Sequence, residues 1–526
     1  MTRHLLLPMQ PTPNGRLHIG HGGGPYLRAD VLARALRRDG HQAAIITGSD
    51  AYENWVLADG LTSGRTPEQT CAHFHSGIGD DLHRLDIHLD TWIDPLSDSH
   101  RVPYIAFHER LHQQLTTTGG AVLTRERIPV NTRTGQPLVG TWIAGRCPTC
   151  QQPCGGNTCT ACGDHFQPEQ LLDAHSRLDH DPIRWTDHPN WFLQPTDLNT
   201  VLTALTRTGL ADPFLTPIRR YLTRPTPRIR LTQPGGWGIP SRHAPAGSVL
   251  ANTYYAYCLY SAEHYAASLS PDEPHPFTTE SDITTIGLFG TDNSIAGLLT
   301  PHVIADATGL YQPFDHTIVN HMLHLEGRKC STSKQHGIWI DDIRNVLSSD
   351  ELRYLLAHLP LDHHVTDLTT THIVDQVNRL RRWTNIVLST PPDSYTRQQP
   401  TTAIRHDAAH QALTRQRALL HPAHVDLAEA ARDIDRWLFD AAPDPHSTSA
   451  PTTWLHDTAL LTYPIMPTLA THLWHALGHP GTPATTNSAL NRQAQANAAG
   501  EPTLTRSQPL TTNELRRHVH LGDVSA

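Results

Sequence analysis

The placement of lysine is the first sign of chemistry in this sequence. The chain has two lysines, Lys329 and Lys334, which open and close one hexapeptide, and arginine occupies every other strongly basic position. Lysine is a compact point charge on a flexible stem, which suits a loop that must follow a moving phosphate, whereas arginine is a planar fork. Randomly placed lysines would seldom fall so close together, so we interpret the hexapeptide as a functional loop.

A second group of reactive side chains lies near the N-terminus. An apolar run at residues 5–7 predicts a buried strand, prolines and a glycine break it, and a helical pattern covers residues 26–38. His18 and His21 lie on the first turn of this junction and share one face. Because a helix N-terminus after a glycine-rich turn directs amide groups toward an anion, the pattern indicates a phosphate site, with an ordinary loop as the alternative.

An acidic residue follows the next predicted strand. Residues 42–47 form a largely apolar run, and Asp50 comes shortly after its end. Open α/β sheets bind their ligands at the carboxyl ends of the strands. Asp50 is therefore a candidate for holding the ammonium group of a ligand.

The cysteines are concentrated in one short segment. Two Cys-x-x-Cys pairs, Cys147 with Cys150 and Cys159 with Cys162, are separated by eight residues. In a reducing compartment this spacing indicates a zinc knuckle, and four thiolates would make the site structural because no coordination position stays open. A metal-free relic is the alternative, and we interpret Cys154 as a bystander.

Bulk composition limits the class of protein. The chain has 526 residues and a formal net charge of -9, which argues against a surface that binds nucleic acid everywhere but allows a local basic face. We find neither a secretory signal pattern nor an apolar run of about 18 residues. The sequence predicts a soluble cytoplasmic protein without a membrane partner.

Two motifs resemble the signatures of a known family. Residues 11–21 resemble the first signature of class I aminoacyl-tRNA synthetases, in the form used by the methionyl-tRNA synthetase family, and residues 329–333 resemble the second, lysine- and serine-rich signature. With further landmarks, the resemblance covers most of residues 1–479. It implies an α/β fold with a Rossmann-like parallel sheet and an inserted connective domain that holds the zinc knuckle. An all-α helix bundle would follow.

The resemblance also implies a domain division. Residues 480–526, rich in alanine, threonine and proline, are expected to form a flexible tail. The other parts are the halves of the catalytic domain at 1–114 and 236–348, the connective insertion at 115–235 and a helical domain similar to an anticodon-binding bundle at 349–479.

By the same resemblance, the chemistry is attack of an amino-acid carboxylate on the α-phosphorus of ATP. Mg²⁺ is implied by ATP but has no ligands that we can name, and zinc is implied as a structural ion. Thr332 stands where the family often has a second lysine, and Lys334 would supply that charge. The implied catalytic residues are His18, His21, Lys329, Ser333 and Lys334. The implied ATP-binding residues are Asn14, Gly20, Asp292 and Lys329.

The implied amino-acid pocket departs from the family. Leu250 and Asn252 stand where methionyl-tRNA synthetases carry a tryptophan and an aspartate, and Thr12 replaces a tyrosine. A lost aromatic wall removes about 1.5–3 kcal/mol of apolar contact. We therefore expect the ammonium site to be kept and selectivity for methionine to be lost. The pocket as a whole comprises Gln10, Thr12, Asp50, Leu250, Asn252 and Thr253.

Three functions remain open at this stage. The leading prediction is an aminoacyl-tRNA synthetase-like ligase, a monomer that binds an amino acid and ATP and loads tRNA. Arg379, Arg381 and Arg382 would give its helical domain a basic face, or alternatively a merely solvated one. The second is a tRNA-independent ligase of secondary metabolism that acts on a small nucleophile such as an N-hydroxylated amine. The third, an inactive binding protein, is disfavoured by the retained histidines and lysines.

Overall fold

A five-stranded parallel sheet forms the centre of the catalytic part. The structure is a computed structural model, and it describes residues 1–179, 181–195, 197–332, 334–388, 407–440, 452–485 and 504–522. The strands of the sheet lie in the order His316–Asn320, Ile283–Gly290, Arg3–Pro8, Gln42–Gly48 and Thr91–Ile93.

The first strand lies at the middle of this sheet. Leu5, Leu6 and Leu7 are fully buried, as expected for an apolar run covered on both faces of a parallel sheet. Arg3 is in register with Gln42 on one side and with Ile283 on the other. The chain therefore leaves the first strand toward one edge and returns on the opposite side, and a crevice forms outside the carboxyl ends at such a reversal.

Helices flank the sheet, and the first of them depends on glycine. A π-helical turn, Gly22–Tyr26, precedes the helix Leu27–Arg38, and a Cβ atom added at Gly24 would lie 3.3 Å from Nδ2 of Asn320. A larger residue at this position would force the Asn320 side chain to shift. The other helices of the catalytic part are Ile19–His21, Trp55–Ser63, Pro67–Arg84, Arg101–Thr117, Tyr254–Leu269, Thr300–Thr308 and Ile340–Ile343, with a π-helical turn at Ile295–Leu299 and a 3-10 turn at Thr291–Asn293.

Antiparallel strands lie in the part of the chain between the strands Thr91–Ile93 and Ile283–Gly290 of the main sheet. Two long strands, Ala121–Asn131 and Ile183–Leu193, pair along their full length, with Ile229–Arg230 at their edge. The cysteine segment forms a small sheet of Pro153–Gly155, Ile143–Arg146 and Leu172–Ser176. The remaining elements here are the 3-10 turns Gly140–Trp142 and Pro168–Gln170, the helices Leu198–Arg207 and Asp212–Leu222, and the paired strands Thr232–Pro234 and Ser248–Leu250.

The C-terminal third is helical, as predicted, but the expected basic face is largely absent. Arg381 is buried, where it donates to Glu351 at 2.8 Å, and Arg379 donates to Asp435 at 2.9 Å. Only Arg382 of the three is exposed. Within the described residues, no helix is both long and apolar enough for a bilayer. The helices are Ser349–Ala357, Thr370–Val387, Asp407–Leu419, Leu427–Asp435, Thr452–Thr462 and Pro467–Ala476, with a π-helical turn at Arg436–Asp440.

The expectation of a flexible tail fails for residues 504–522. Leu510 and Leu515 are buried, and Asn378 exchanges two hydrogen bonds with the Leu510 backbone. After the helix Thr512–Arg516, a short strand, His520–Leu521, pairs with His336–Gly337. Two apolar anchors and backbone pairing outweigh the polar composition of this segment. The last strands, Leu323–Leu325, Arg328–Lys329 and Thr366–Leu368, form a small sheet beside it.

Arg353 joins the helical part to the catalytic part. Its guanidinium group lies 2.7 Å from the Asp30 carboxylate, and both side chains are fully buried. It also donates to the backbone carbonyls of Leu85 and Asp86 in the catalytic part and Ile465 in the helical part. Although burial opposes ionisation of Asp30, Arg34 and then Arg353 lower the pKa of this carboxyl group to about 2.

We expect Arg353→Met to lower the free energy of unfolding by about 3–5 kcal/mol, because Asp30 would lose one of its two arginine partners and the carbonyls of Leu85, Asp86 and Ile465 would lose a buried donor. Urea unfolding followed by tryptophan fluorescence measures the change. Arg110→Met is the matched control, since Arg110 and Glu263 form an ion pair whose side chains are 58% and 46% exposed. The control should lose less than about 1 kcal/mol, and equal losses would show that Arg353 has no special role.

Candidate active site

The two histidines of the first turn are held by the surrounding backbone. Nδ1 of His18 accepts a hydrogen bond from the Gly20 amide at 3.1 Å, and Nδ1 of His21 accepts one from the His18 amide at 3.3 Å. The rings stack with their centroids 3.8 Å apart. Because Nδ1 is the acceptor in both rings, the neutral imidazoles carry their protons on Nε2. The turn therefore presents two Nε2–H donors in a fixed orientation.

Burial keeps both imidazoles uncharged. It lowers the pKa of His21 to about 4, and the ammonium group of Lys329 adds to this effect. The pKa of His18 also lies well below its ordinary value because of burial, His21 and Lys329. At neutral pH the pair offers hydrogen bonds, and not positive charge, to an anion.

A hairpin places Lys329 near the carboxyl end of the strand Ile283–Gly290. The short strand Arg328–Lys329 follows a turn at Glu326 and Gly327, where φ is 48° and 80°. Nζ of Lys329 lies 3.8 Å from Oδ2 of Asp292, and both side chains are partly exposed. An ion pair this open to water is weak, so Lys329 can exchange Asp292 for a phosphate.

The lysine loop packs closely against the first turn. A Cβ atom added at Gly20 would lie 3.4 Å from Cβ of Cys330, and one added at Gly15 would collide with the side chain of Thr332. Glycine at position 15 is therefore required by contact with the loop. Two segments that are far apart in the sequence thus form one surface.

The other residues predicted for ATP are placed less closely. Asn14 is half-buried, and its backbone N–H donates a hydrogen bond to the Thr12 carbonyl oxygen at 2.9 Å. Lys334 is exposed. Ser333 lies outside the described residues. The structure therefore brings together the first turn, Lys329 and Asp292, and it leaves Lys334 at the surface.

Asp50 begins a chain of hydrogen bonds that leads into the interior. Its Oδ1 accepts from Nδ2 of Asn252 at 2.7 Å, and Oδ1 of Asn252 accepts from the Tyr104 hydroxyl at 2.7 Å. The Asp50 amide donates to the Pro11 carbonyl at 2.9 Å. Asp50 is thereby fixed between the ends of the first and second strands.

Two half-buried carboxyl groups, those of Asp50 and Glu53, lie at this end of the sheet. Burial, and next the nearby Glu53, raise the pKa of Asp50 to about 8, while the hydrogen bond from Asn252 opposes the shift. Burial also raises the pKa of Glu53, whose carboxylate accepts from the Asn54 amide at 2.8 Å. A bound ammonium group would relieve both effects, because an opposite charge favours the ionised carboxylate.

The interior beyond Asp50 contains polar atoms without partners. Among the described residues, the hydroxyls of Tyr52 and Tyr257, Nε2 of His108 and Oε1 of Gln10 make no hydrogen bond. Tyr52, Tyr257 and His108 are 4%, 1% and 4% exposed. An unpaired polar group in the interior costs about 1–3 kcal/mol, so atoms of this kind are candidates for contact with a ligand.

Two of the predicted pocket residues have structural roles. Leu250 is buried in the core within the strand Ser248–Leu250. The Thr253 hydroxyl caps the helix Tyr254–Leu269. Thr12 is half-buried in the first turn. Of the residues predicted for the side-chain pocket, Asn252 has a direct contact with Asp50.

Sequence reasoning missed Tyr52, Glu53, Tyr104 and His108. A signal for each was present in the chain. Tyr52 and Glu53 directly follow the acidic residue at a strand end, where ligands bind. Tyr104 and His108 are four residues apart on the helix Arg101–Thr117 and so share a face.

The four predicted zinc ligands meet at one point. The sulfur atoms of Cys147 and Cys162 are 3.8 Å apart, those of Cys150 and Cys159 are 3.6 Å apart, and all four lie within 4.8 Å of one another. A tetrahedral site with zinc–sulfur bonds of about 2.3 Å separates its sulfurs by about 3.8 Å, so the residues fit zinc. Cys154 lies outside this group.

We expect the purified protein to contain about one zinc per chain by elemental mass spectrometry. Cys159→Ser should lose most of the metal and lower the thermal midpoint, because the folded knuckle depends on the ion. Cys154→Ser is the matched control and should keep both. Full metal content in the Cys159 variant, or equal loss in both variants, would remove the assignment.

Comparisons with known proteins agree with this geometry. The family model of class I tRNA synthetases (M) matches residues 9–387. A methionine-tRNA ligase of Pyrobaculum calidifontis is 24% identical over 530 residues, covering 92% of this chain and 90% of its own. That of Pyrobaculum aerophilum is 23% identical over 379 residues, covering 69% of this chain and 64% of its own, so this chain spans just under two thirds of that relative.

A solved structure shares the fold. Mycobacterium tuberculosis methionyl-tRNA synthetase bound by methionyl-adenylate superposes with a TM-score of 0.65 at 15% identity, covering 97% of this chain and 99% of the other. At this identity the likeness concerns the fold alone, whereas the family model covers well over half of the chain. The chain therefore belongs to the class I aminoacyl-tRNA synthetases, within the methionyl-tRNA synthetase family of ligases.

Proposed function

We propose that this protein uses ATP to activate an amino acid as an aminoacyl adenylate and transfers the aminoacyl group to tRNA. The observation that supports this most directly is the contact between the first turn and the lysine loop. Two neutral histidine donors and a lysine that is weakly paired with Asp292 face the same crevice at the carboxyl ends of the sheet. This arrangement suits a triphosphate whose α-phosphorus is attacked.

In the proposed reaction the amino-acid carboxylate displaces pyrophosphate from the α-phosphorus. No covalent enzyme intermediate is needed, so the protein positions the reactants and stabilises developing charge. His18 and His21 donate from Nε2 to the α-phosphate oxygens. Lys329 moves from Asp292 to the outer phosphates, and Lys334 adds a second charge. Mg²⁺ neutralises part of the phosphate charge when it is bound.

The remaining contacts of ATP follow from the same placement. Asn14 and Gly20, in the first turn, contact the nucleotide, and glycine lets it approach the backbone. Asp292 holds the ribose once Lys329 has left it. Ser333 belongs to the lysine- and serine-rich signature, and we propose that it contributes to phosphate binding by the family resemblance.

Asp50 would bind the ammonium group of the amino acid. Asn252 and Tyr104 orient its carboxylate through hydrogen bonds of 2.7 Å each. Gln10 and Thr12 enclose the substrate from the first turn, and Leu250 and Thr253 support the pocket from behind. We propose that methionine is not the preferred substrate, because no tryptophan stands at position 250 and no tyrosine at position 12 to hold a thioether.

Pyrophosphate exchange with each of the twenty standard amino acids, followed by charging of total tRNA, tests this function. We expect exchange with at least one amino acid, and charging with the same one. Exchange without charging would assign the acceptor role to a small nucleophile, such as an N-hydroxylated amine. No exchange with any amino acid would contradict the proposal.

The role of the lysine loop is tested by Lys329→Ala. We expect exchange to fall by about a thousandfold, since a group that stabilises transition-state charge is removed, with an unchanged thermal midpoint. Arg219→Ala is the control, because this exposed arginine forms a surface ion pair with Asp212. Near-normal exchange in the Lys329 variant would show that the loop does not act on ATP.

The raised pKa of Asp50 predicts a pH dependence. Only the carboxylate binds an ammonium group, so kcat/KM for the amino acid should rise about tenfold per pH unit up to about pH 8 and then level off. Glu53→Gln removes a like charge that raises the pKa of Asp50 and should move the midpoint to lower pH. Exchange measured between pH 6 and 9 checks both, and a profile that is flat from pH 6.5 to 8 would contradict them.

A further inference from the structure

We infer that the pocket beside Asp50 accepts a neutral side chain that carries both a hydrogen-bond donor and an acceptor, that is, a hydroxyl or a carboxamide. The inference rests on the proposed activation of an amino acid whose ammonium group binds Asp50. It goes further by naming the chemical class of the side chain.

The unpaired polar atoms surround one ring that is tied to the ammonium site. Tyr104 donates to Asn252, which in turn donates to Asp50. The Tyr104 ring stacks on Tyr52 with centroids 5.9 Å apart, lies 4.3 Å from the His108 ring and lies 6.3 Å from the Tyr257 ring. A side chain that extends from an amino acid held at Asp50 would therefore meet these groups first.

Three of the four unpaired atoms, namely the hydroxyls of Tyr52 and Tyr257 and Nε2 of His108, belong to residues whose rings surround Tyr104, and they form a defined set of donors and acceptors. Nδ1 of His108 lies 2.9 Å from the Tyr104 carbonyl oxygen, which can only accept, so the imidazole proton is on Nδ1. Burial lowers the pKa of His108 to about 4, so the ring is neutral and Nε2 is an acceptor. The hydroxyls of Tyr52 and Tyr257 can donate. A ligand that satisfies all three needs a donor for Nε2 and an acceptor for the hydroxyls.

Other side-chain classes fit this set less well. A thioether or an aliphatic chain would leave Nε2 of His108 and the two hydroxyls unpaired. A carboxylate would place a further negative charge near the Asp50 carboxylate that holds the ammonium group. An ammonium group can donate to all three atoms, but the two hydroxyl protons would then have no acceptor. A hydroxyl or carboxamide group is neutral, can donate to Nε2 of His108 and can accept from the tyrosine hydroxyls.

Exchange assays of the full-length protein with matched pairs of amino acids test the inference. The pairs are threonine against valine and asparagine against leucine, which have similar volumes and differ in polarity. We expect kcat/KM for the better polar member to exceed that of its apolar counterpart by at least about 100-fold, because a site built for hydrogen bonds rejects analogues that lack them. Preference for glycine, methionine, glutamate or lysine would overturn the inference.

Tyr257→Phe removes one hydroxyl and keeps the ring. It should reduce the polar-to-apolar ratio of kcat/KM by about tenfold or more, a change that a merely structural role would not produce. Tyr255→Phe is the matched control on the same helix, since the Tyr255 hydroxyl donates to the Gln312 carbonyl instead. Its ratio should be unchanged. An unchanged ratio in both variants would overturn the assignment of Tyr257.

A binding measurement separates this inference from the proposed function. Calorimetry compares asparaginyl and threonyl sulfamoyl adenosines, which cannot react, with their leucyl and valyl counterparts. Tighter binding of the polar analogues without any exchange would support the pocket and refute the proposed function. Exchange together with tighter binding of the apolar analogues would support the proposed function and refute the inferred polar pocket.

Discussion

Parallel pairing on both sides of the strand Arg3–Pro8 determines where chemistry can take place. The strand contacts Gln42–Gly48 on one side and Ile283–Gly290 on the other, so three carboxyl ends lie at one edge. The histidine turn follows the first, Asp50 the second and Asp292 the third. The register of this sheet thus brings residues from the start and the middle of the chain together in one crevice.

Within that crevice, charge and hydrogen bonding are divided between different parts. Burial makes the paired histidines neutral donors and suppresses ionisation of Asp50, so the resting site carries little charge where the two substrates must meet. The partly exposed ion pair of Lys329 and Asp292 is the exception, and its lysine comes from a loop. The fixed, weakly charged histidines and Asp50 lie beside a charged lysine on a loop. This arrangement suits a ligand whose negative charge shifts to the pyrophosphate as it leaves.

The sequence allowed much of the frame to be predicted. Apolar runs and glycine-rich breaks located the first two strands and the helix between them, and cysteine spacing located the four sulfurs that cluster. Side-chain pairing could not be read in this way. In the sequence Arg379 and Arg381 look like parts of a basic face, but in the structure each pairs with an acidic residue of another helix. Tyr104 and His108 look like ordinary helical residues until Asn252 connects them to Asp50.

The strand pairing between His336–Gly337 and His520–Leu521 has a consequence for biosynthesis. His336 and Gly337, which directly follow the lysine loop, leave the ribosome long before their partner strand is made. During translation the loop therefore lacks one of its edges, while the central sheet already has all five strands. Assembly of the crevice and completion of this small sheet are therefore separate events in time, and the second must wait until residues 520–521 have been synthesised.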